Sequence, residues 1–266
     1  MMMKTYSLKK QILLFFFVLL GNASSGQTVV AEPLAGRSVT KEYVLQNLVY
    51  PESLLASKQS GDVVVGFHID AQGKCSDYKI CSTFNEEASP VALDLVKKIL
   101  WKPACEFGKA IESEQEYTVV FNCKSYQRYW KKHERIVVPT SSHELDRSYV
   151  IYSRNQVEEL AQPYFADGKT NMASYIHSNL KFPEAAKASE IQGVVRLSFV
   201  VETNGTVSNI LVENSVGGGC DNEAIRLLQG TVWIPAIRNG KYVRSNNIQE
   251  ITFRIGERNY IDGNSY

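Results

Sequence analysis

Sliding this sequence of 266 residues against itself by 132 positions aligns two segments without a gap. Pro51-Glu52 meets Pro183-Glu184, Ala56-Ser57 meets Ala188-Ser189, and Gly61, Phe67 and Gly73 meet Gly193, Phe199 and Gly205. Farther along, Ala92 meets Ala224, Trp101-x-Pro103-Ala104 meets Trp233-x-Pro235-Ala236, Gly108-Lys109 meets Gly240-Lys241, and Phe121 meets Phe253. The shared types are mostly Gly, Pro, Trp and Phe, residues fixed by backbone or core demands, as a duplicated fold requires. Two copies of this length are tandem domains, because a solenoid uses shorter and more numerous units. At roughly 100–150 residues per domain the chain has room for both.

Each copy reads as ααββαβ. Tyr43, Val44, Asn47 and Leu48 share one side of a helical stretch, as do Tyr175, Ile176, Asn179 and Leu180. Pro51 and Pro183 stand where a second short helix starts. The alternations Val63-Val65-Phe67-Ile69 and Val195-Leu197-Phe199-Val201 predict strands with one buried face. Gln72-Gly73 and Asn204-Gly205 predict two-residue hairpin turns. That register sets Phe67 opposite Tyr78, Val65 opposite Ile80, Phe199 opposite Ile210 and Leu197 opposite Val212. A helix follows, capped by Ser89-Pro90 in the first copy and by Asp221 in the second. The last strand buries Val119, Phe121 and Cys123, or Ile251, Phe253 and Ile255.

The helix after strand two carries the chain back, so an all-antiparallel sheet requires the strand order 2-1-3. The expected fold is α+β: two units, 36–123 and 157–256, each a three-stranded antiparallel sheet with helices on one face. Strand three is then an edge with unpaired backbone groups along its outer side. Residues 124–156 form a linker with too little periodicity to assign, and 257–266 form a tail.

The first 26 residues place Lys4, Lys9 and Lys10 before the apolar run Ile12 to Leu20 and the small-residue stretch Gly21 to Gly26. This is the order of a cleaved secretory signal, and the run is shorter than the ~20 residues of a membrane span. Cleavage after Gly26 leaves Gln27 first and an exported, periplasmic chain; the alternative is an uncleaved inner-membrane anchor. Removing three Lys and no acid leaves 26 basic and 28 acidic residues, a net charge of −2. That charge gives no electrostatic case for nucleic acid.

Cys75, Cys81, Cys105, Cys123 and Cys220 all follow the signal, where disulfides are allowed. Cys75 and Cys81 lie about 20 Å apart on the open face of one strand, too far to bond. Cys105 returns near the start of strand two, so the expected pair is Cys75–Cys105. No CxxC or zinc spacing occurs, and no metal or cofactor is expected. Gly217-Gly218-Gly219 lacks the Lys-Ser/Thr of a phosphate loop and reads as a flexible approach to a helix. His68, on the open strand face, reads as a solvated or stacked side chain. Ser142, His143 and Asp146 contain triad types without a nucleophile elbow, so neither catalysis nor a small-molecule substrate is expected. Lys124, Arg128, Lys131, Lys132 and Arg135, interleaved with Tyr129 and Trp130, read as a solvated connecting segment.

The second copy carries Val157-Glu158-Glu159, Pro163-Tyr164-Phe165, Gly168, Tyr175-Ile176-x-x-Asn179-Leu180-x-Phe182-Pro183 and Gly193-Val194-Val195. The string continues through Phe199-Val200-Val201, Asn204-Gly205, Gly217 to Asp221, Ala224 and Trp233-x-Pro235. In this order and spacing the second copy resembles the TonB C-terminal domain of Gram-negative envelope proteins. The first copy matches less well, with Phe84-Asn85-Glu86-Glu87 replacing the Gly-rich stretch. The resemblance implies a domain that binds the extended N-terminal segment of outer-membrane TonB-dependent receptors by strand addition. The expected docking edge is Asn246, Asn247, Ile248, Gln249, Glu250, Ile251, Thr252, Phe253 and Arg254. In the first copy Glu112, Glu114 and Glu116 stand where the second has Arg244, Asn246 and Ile248, and charges on an edge discourage strand addition. The second copy is therefore the expected binder, acting with or without an inner-membrane anchored partner. The competing expectation is an envelope scaffold whose tandem domains bind no receptor. A long Pro-rich spacer, usual in energy-transducing members, is absent: eight prolines are scattered singly.

Overall fold

Left-handed backbone conformations recur at the same spacing as the sequence repeat. In the computed structural model, which describes residues 28–132 and 143–255, positive φ occurs at Lys58, Asp77 and Phe107 and again at Glu190, Asn209 and Asn239. The first unit comprises β1 (Glu32–Pro33), α1 (Gly36–Asn47), α2 (Glu52–Ala56), β2 (Gly61–Ile69), β3 (Cys75–Thr83) and α3 (Ala88–Lys98). It ends with β4 (Trp101–Lys102), β5 (Ala104–Glu106), β6 (Lys109–Ile111) and β7 (Ser113–Phe121). The linker holds α4 (Cys123–Lys132), β8 (Glu144–Leu145), β9 (Ile151–Tyr152) and a 3-10 turn, Arg154–Gln156. The second unit runs β10 (Gln162–Tyr164), α5 (Met172–Asn179), α6 (Glu184–Ala188), β11 (Gly193–Val201) and β12 (Val207–Asn214). It closes with α7 (Cys220–Gln229), β13 (Val232–Ile234), β14 (Ala236–Arg238) and β15 (Lys241–Phe253).

The main sheets have the order β3-β2-β7 and β12-β11-β15, antiparallel throughout, which is the expected 2-1-3. Alternation along β2 and β11 buries Val63, Val65, Phe67, Ile69 and Val195, Leu197, Phe199, Val201 in two separate cores. In each core a strand Phe meets the Trp of the Trp-x-Pro-Ala block: Phe67–Trp101 at 5.0 Å and Phe199–Trp233 at 5.2 Å. Such ring pairs add about 0.5–1.5 kcal/mol to the burial of their area. Thr231 accepts the Trp233 indole N–H at 2.9 Å; Ile99 stands in the corresponding place of the first unit, and among the described residues the Trp101 indole N–H has no partner.

Three local expectations are corrected. The hairpin loops are three residues long, since Asp70 N–H donates to Lys74 O and Glu202 N–H to Thr206 O. Gly73 and Gly205, both at φ 82, supply the left-handed residue of the loop. Bulges at Asp77 and Asn209 then absorb the offset, restoring Val65↔Ile80 and Leu197↔Val212 at mid-strand. Phe67 still stacks on Tyr78, at 5.5 Å. The bulge also places Cys75 against the first core while Cys81 stays exposed. Second, α3 is preceded by Glu87 and α7 by Gly219, so neither Ser89 nor Asp221 is the cap. The Asp221 carboxylate accepts the N–H of Val216, inside the preceding loop. Third, Cys123 is buried as expected but belongs to α4, and Ile255 lies beyond β15, 41% exposed.

The glycine run before α7 is a fitted corner. Gly217, Gly218 and Gly219 all have positive φ, and a Cβ on Gly218 would lie 2.9 Å from Ile191 Cδ1 and 3.0 Å from Ala186 Cα. Gly218→Ala combines a left-handed backbone with this clash and should cost about 2 kcal/mol. A urea melt that matches wild type would show that α6 can retreat.

Candidate functional site

Which backbone groups of β15 face outward follows from two turns. Glu202 N–H bonds to Thr206 O, so even-numbered residues of β11 turn their backbone groups toward β12 and odd-numbered ones toward β15. The register of β11 with β15 is unbroken from Gly193↔Phe253 to Val201↔Ser245. Ser245, Asn247, Gln249, Ile251 and Phe253 are therefore tied to β11. Asn246, Ile248, Glu250 and Thr252 turn N–H and C=O to the outer side. Asp146 N–H donating to Tyr242 O marks the same even set at the beginning of the strand. The Glu250 carbonyl accepts the Gln249 side-chain amide at 2.8 Å, so one outer acceptor is already covered.

The beginning of that edge is occupied by the linker. Strand β8 pairs in parallel with Lys241 and Tyr242, and β9 with Arg244 and Ser245. Lys241 also meets Glu144 at 3.3 Å, and Arg238 lies 4.7 Å over the Tyr152 ring. Beyond Tyr152 the linker turns back to the far side of the β14–β15 hairpin, where Glu159 pairs with Ile237. Among the described residues no strand pairs with the outer side of Asn246 to Phe253.

A buried ion pair fixes this end of β15. Arg244 donates from Nε to Glu202 at 2.8 Å and from Nη2 at 2.9 Å, with both side chains only 2–3% exposed. Its Nη1 reaches Tyr149 O at 2.9 Å and its Nη2 reaches Lys98 O at 3.0 Å, in the last turn of α3. Asn209 donates to Lys98 O and accepts the Leu100 N–H. Asn47, the last residue of α1, accepts from Asn204 and Thr206 at the β11–β12 loop. The second unit thus satisfies an orphan carbonyl at the end of α3 and holds the end of α1 through the Asn47 side-chain oxygen. The covered half of the second sheet's open face includes Val200, Glu202, Ser208 and Arg244; Val194 and Ile248 lie on its uncovered half.

The first unit offers a different edge. The same turn logic, from Asp70 N–H to Lys74 O, turns the backbones of Glu114, Glu116, Thr118 and Val120 outward. His68 lies 3.2 Å from Glu114 and 3.8 Å from Glu112 across the open face. This pairing replaces the expected solvated or stacked histidine.

Other expected residues are not brought together. All five cysteines are free, and the expected Cys75–Cys105 bond is not formed. Cys75 Sγ faces Gly73 O at 3.8 Å, whereas Cys105 Sγ faces Pro103 O at 3.9 Å. Asp146 is committed to Ser148, whose N–H and then hydroxyl hold its carboxyl below the usual range. Ser142 and Arg135 lie outside the described residues, as do the expected signal and tail. Among the described residues no helix is long and apolar enough to cross a membrane, and no three His, Cys, Asp or Glu residues cluster to hold a metal.

The fold is a duplicated α+β unit whose second copy leaves part of its third strand uncovered. The profile of the Gram-negative bacterial TonB protein C-terminal domain matches residues 46–123 and 178–255, and the chain belongs to that family. No curated protein matches the chain.

Truncating Arg244 to Ala leaves Glu202 buried and unpaired, so R244A should cost about 3–5 kcal/mol and expose the Leu100 amide to hydrogen exchange. Unchanged exchange there would mean the units dock without the pair. Burial, then the Glu202 charge, raises the Tyr43 hydroxyl well above its ordinary value. Its stabilisation is complete below the unfolded pKa of about 10 and is lost as pH rises through the folded value. Alkaline titration should loosen the chain above pH ~10, less steeply in Tyr43→Phe; identical titration curves would remove Tyr43 from the seam's energetics.

Proposed function

We propose that this protein is a periplasmic member of the TonB C-terminal family. Its second unit binds the extended N-terminal segment of an outer-membrane TonB-dependent receptor by adding it to the β15 edge. The observation that carries this reading is the outward set Asn246, Ile248, Glu250 and Thr252, on a strand whose other side is fully paired. Strand addition draws its affinity from main-chain hydrogen bonds, each worth about 0.5–1.5 kcal/mol net. Ordering the peptide offsets much of this, so affinity should be on the order of micromolar. The first unit serves as a support, its edge carrying Glu114 and Glu116. Any transfer of force comes from an inner-membrane anchored partner.

A second reading is favoured by the seam: the tandem units form a scaffold for other envelope proteins and bind no receptor. A proline scan separates the two. Proline at Ile248 or Thr252 deletes an outer donor and should abolish binding with the fold retained. At Gln249 or Ile251 it deletes a bond to β11 and should unfold the unit. NMR titration with receptor N-terminal peptides reads the result. Shifts confined to the first unit, or none at saturating peptide, would leave the scaffold.

A further inference from the structure

The open stretch of β15 has a chemical pattern as well as free backbone groups. Asn246, Ile248, Glu250 and Thr252 stand on the uncovered half of the open face, alternating with the buried Ile251 and Phe253. Ile248 is 51% exposed, an isolated apolar side chain with polar neighbours two positions away on either side. Glu250 accepts from Arg196 Nη1 at 2.6 Å, and the Nε of the same guanidinium donates to Glu213 at 2.9 Å. Two carboxylates share one cation, so this cluster keeps one net negative charge at neutral pH. Arg254 lies four residues farther along, and Lys241 at the opposite end is paired with Glu144.

Resting on the strand-addition reading above, we infer that the partner segment carries an apolar residue opposite Ile248 and a basic residue two positions from it, opposite Glu250. Residues directly opposite on adjacent strands hold their side chains on the same face, about 4.5–5.5 Å apart. This holds whichever way the added strand runs. An apolar side chain there covers Ile248 from water, and a Lys or Arg adds a second cation beside Glu213 and Glu250, which share Arg196. A second copy of this chain fits less well, because pairing two β15 edges around Glu250 brings two acidic clusters together.

The test uses symmetric peptides, so that strand sense does not matter. Nine-residue peptides centred on Lys-Thr-Ile-Thr-Lys, Glu-Thr-Ile-Thr-Glu and Lys-Thr-Ser-Thr-Lys, with mirrored flanks, are titrated into the full chain, followed by amide shifts. The first should bind about tenfold tighter than the second and several-fold tighter than the third. Its advantage over the second should shrink at high salt, since the charges are exposed. In Glu250→Lys the order of the first two should reverse, with the wild-type spectrum retained elsewhere. Equal binding of all three would keep strand addition and overturn this inference. No binding by any peptide would remove strand addition, and the inference with it. A concentration-dependent dimer that no peptide displaces would give the edge to a second copy and overturn the proposed partner.

Discussion

The pairing of Arg244 with Glu202 joins every feature on which the second unit's edge depends. A guanidinium and a carboxylate removed from water are strongly unfavourable unless their hydrogen bonds are satisfied. Here they are: Glu202 takes Nε and Nη2, and the remaining bonds go to the carbonyls of Tyr149 and Lys98. Those carbonyls belong to the linker and to α3 of the first unit. One side chain on β15 therefore holds the hairpin loop, the linker and the neighbouring domain in register. It also gives the α3 C-terminus a cation where the helix dipole favours one. In the first unit the equivalent positions are Glu112 and Asp70, two acids that cannot form this pair. The first unit therefore has no counterpart of this pair at the equivalent positions.

The same divergence separates the two edges. Strand β15 runs unbroken for 13 residues, whereas its counterpart is divided at Glu112 into β6 and β7. The long strand lets the linker take its beginning while the remainder stays accessible. On β7 the outward backbone positions begin with Glu114 and Glu116, and an added strand would have to pass through that charge. The two edges thus differ in length and in charge, although both units keep the same buried Phe and Trp.

The repeat, the strand order and the buried faces were legible in the sequence because they depend on Gly, Pro, aromatic and alternating apolar residues whose constraints are local. The hairpin loops were misjudged by one residue because Asp77 and Asn209 give no sign, in one sequence, of the bulges they form. Strands β8 and β9 escaped notice because two-residue strands have no period of their own; tertiary pairing creates them. The seam was hidden for a related reason. Nothing local marks Glu202 or Arg244 as buried, and the chain brings them together across 42 positions. Asn246 to Arg254 was legible as an edge, but which residues turn outward had to wait for the Glu202–Thr206 bond that sets the parity.

An exposed strand edge is a liability in any soluble protein, and what a chain leaves uncovered is informative. Here the liability is managed at the beginning, which strands β8 and β9 cover. Farther along, Gln249 folds its amide onto the Glu250 carbonyl, and the Glu250 side chain adds charge. These devices slow indiscriminate pairing yet leave the donors of Ile248 and Thr252 facing outward. A chain selected only against aggregation had a simpler solution at hand, since the linker already lies on this edge and two or three more paired residues would have closed it. The interval it leaves is short and, apart from Ile248, its outward residues are polar, which makes it a poor template for open-ended sheet growth.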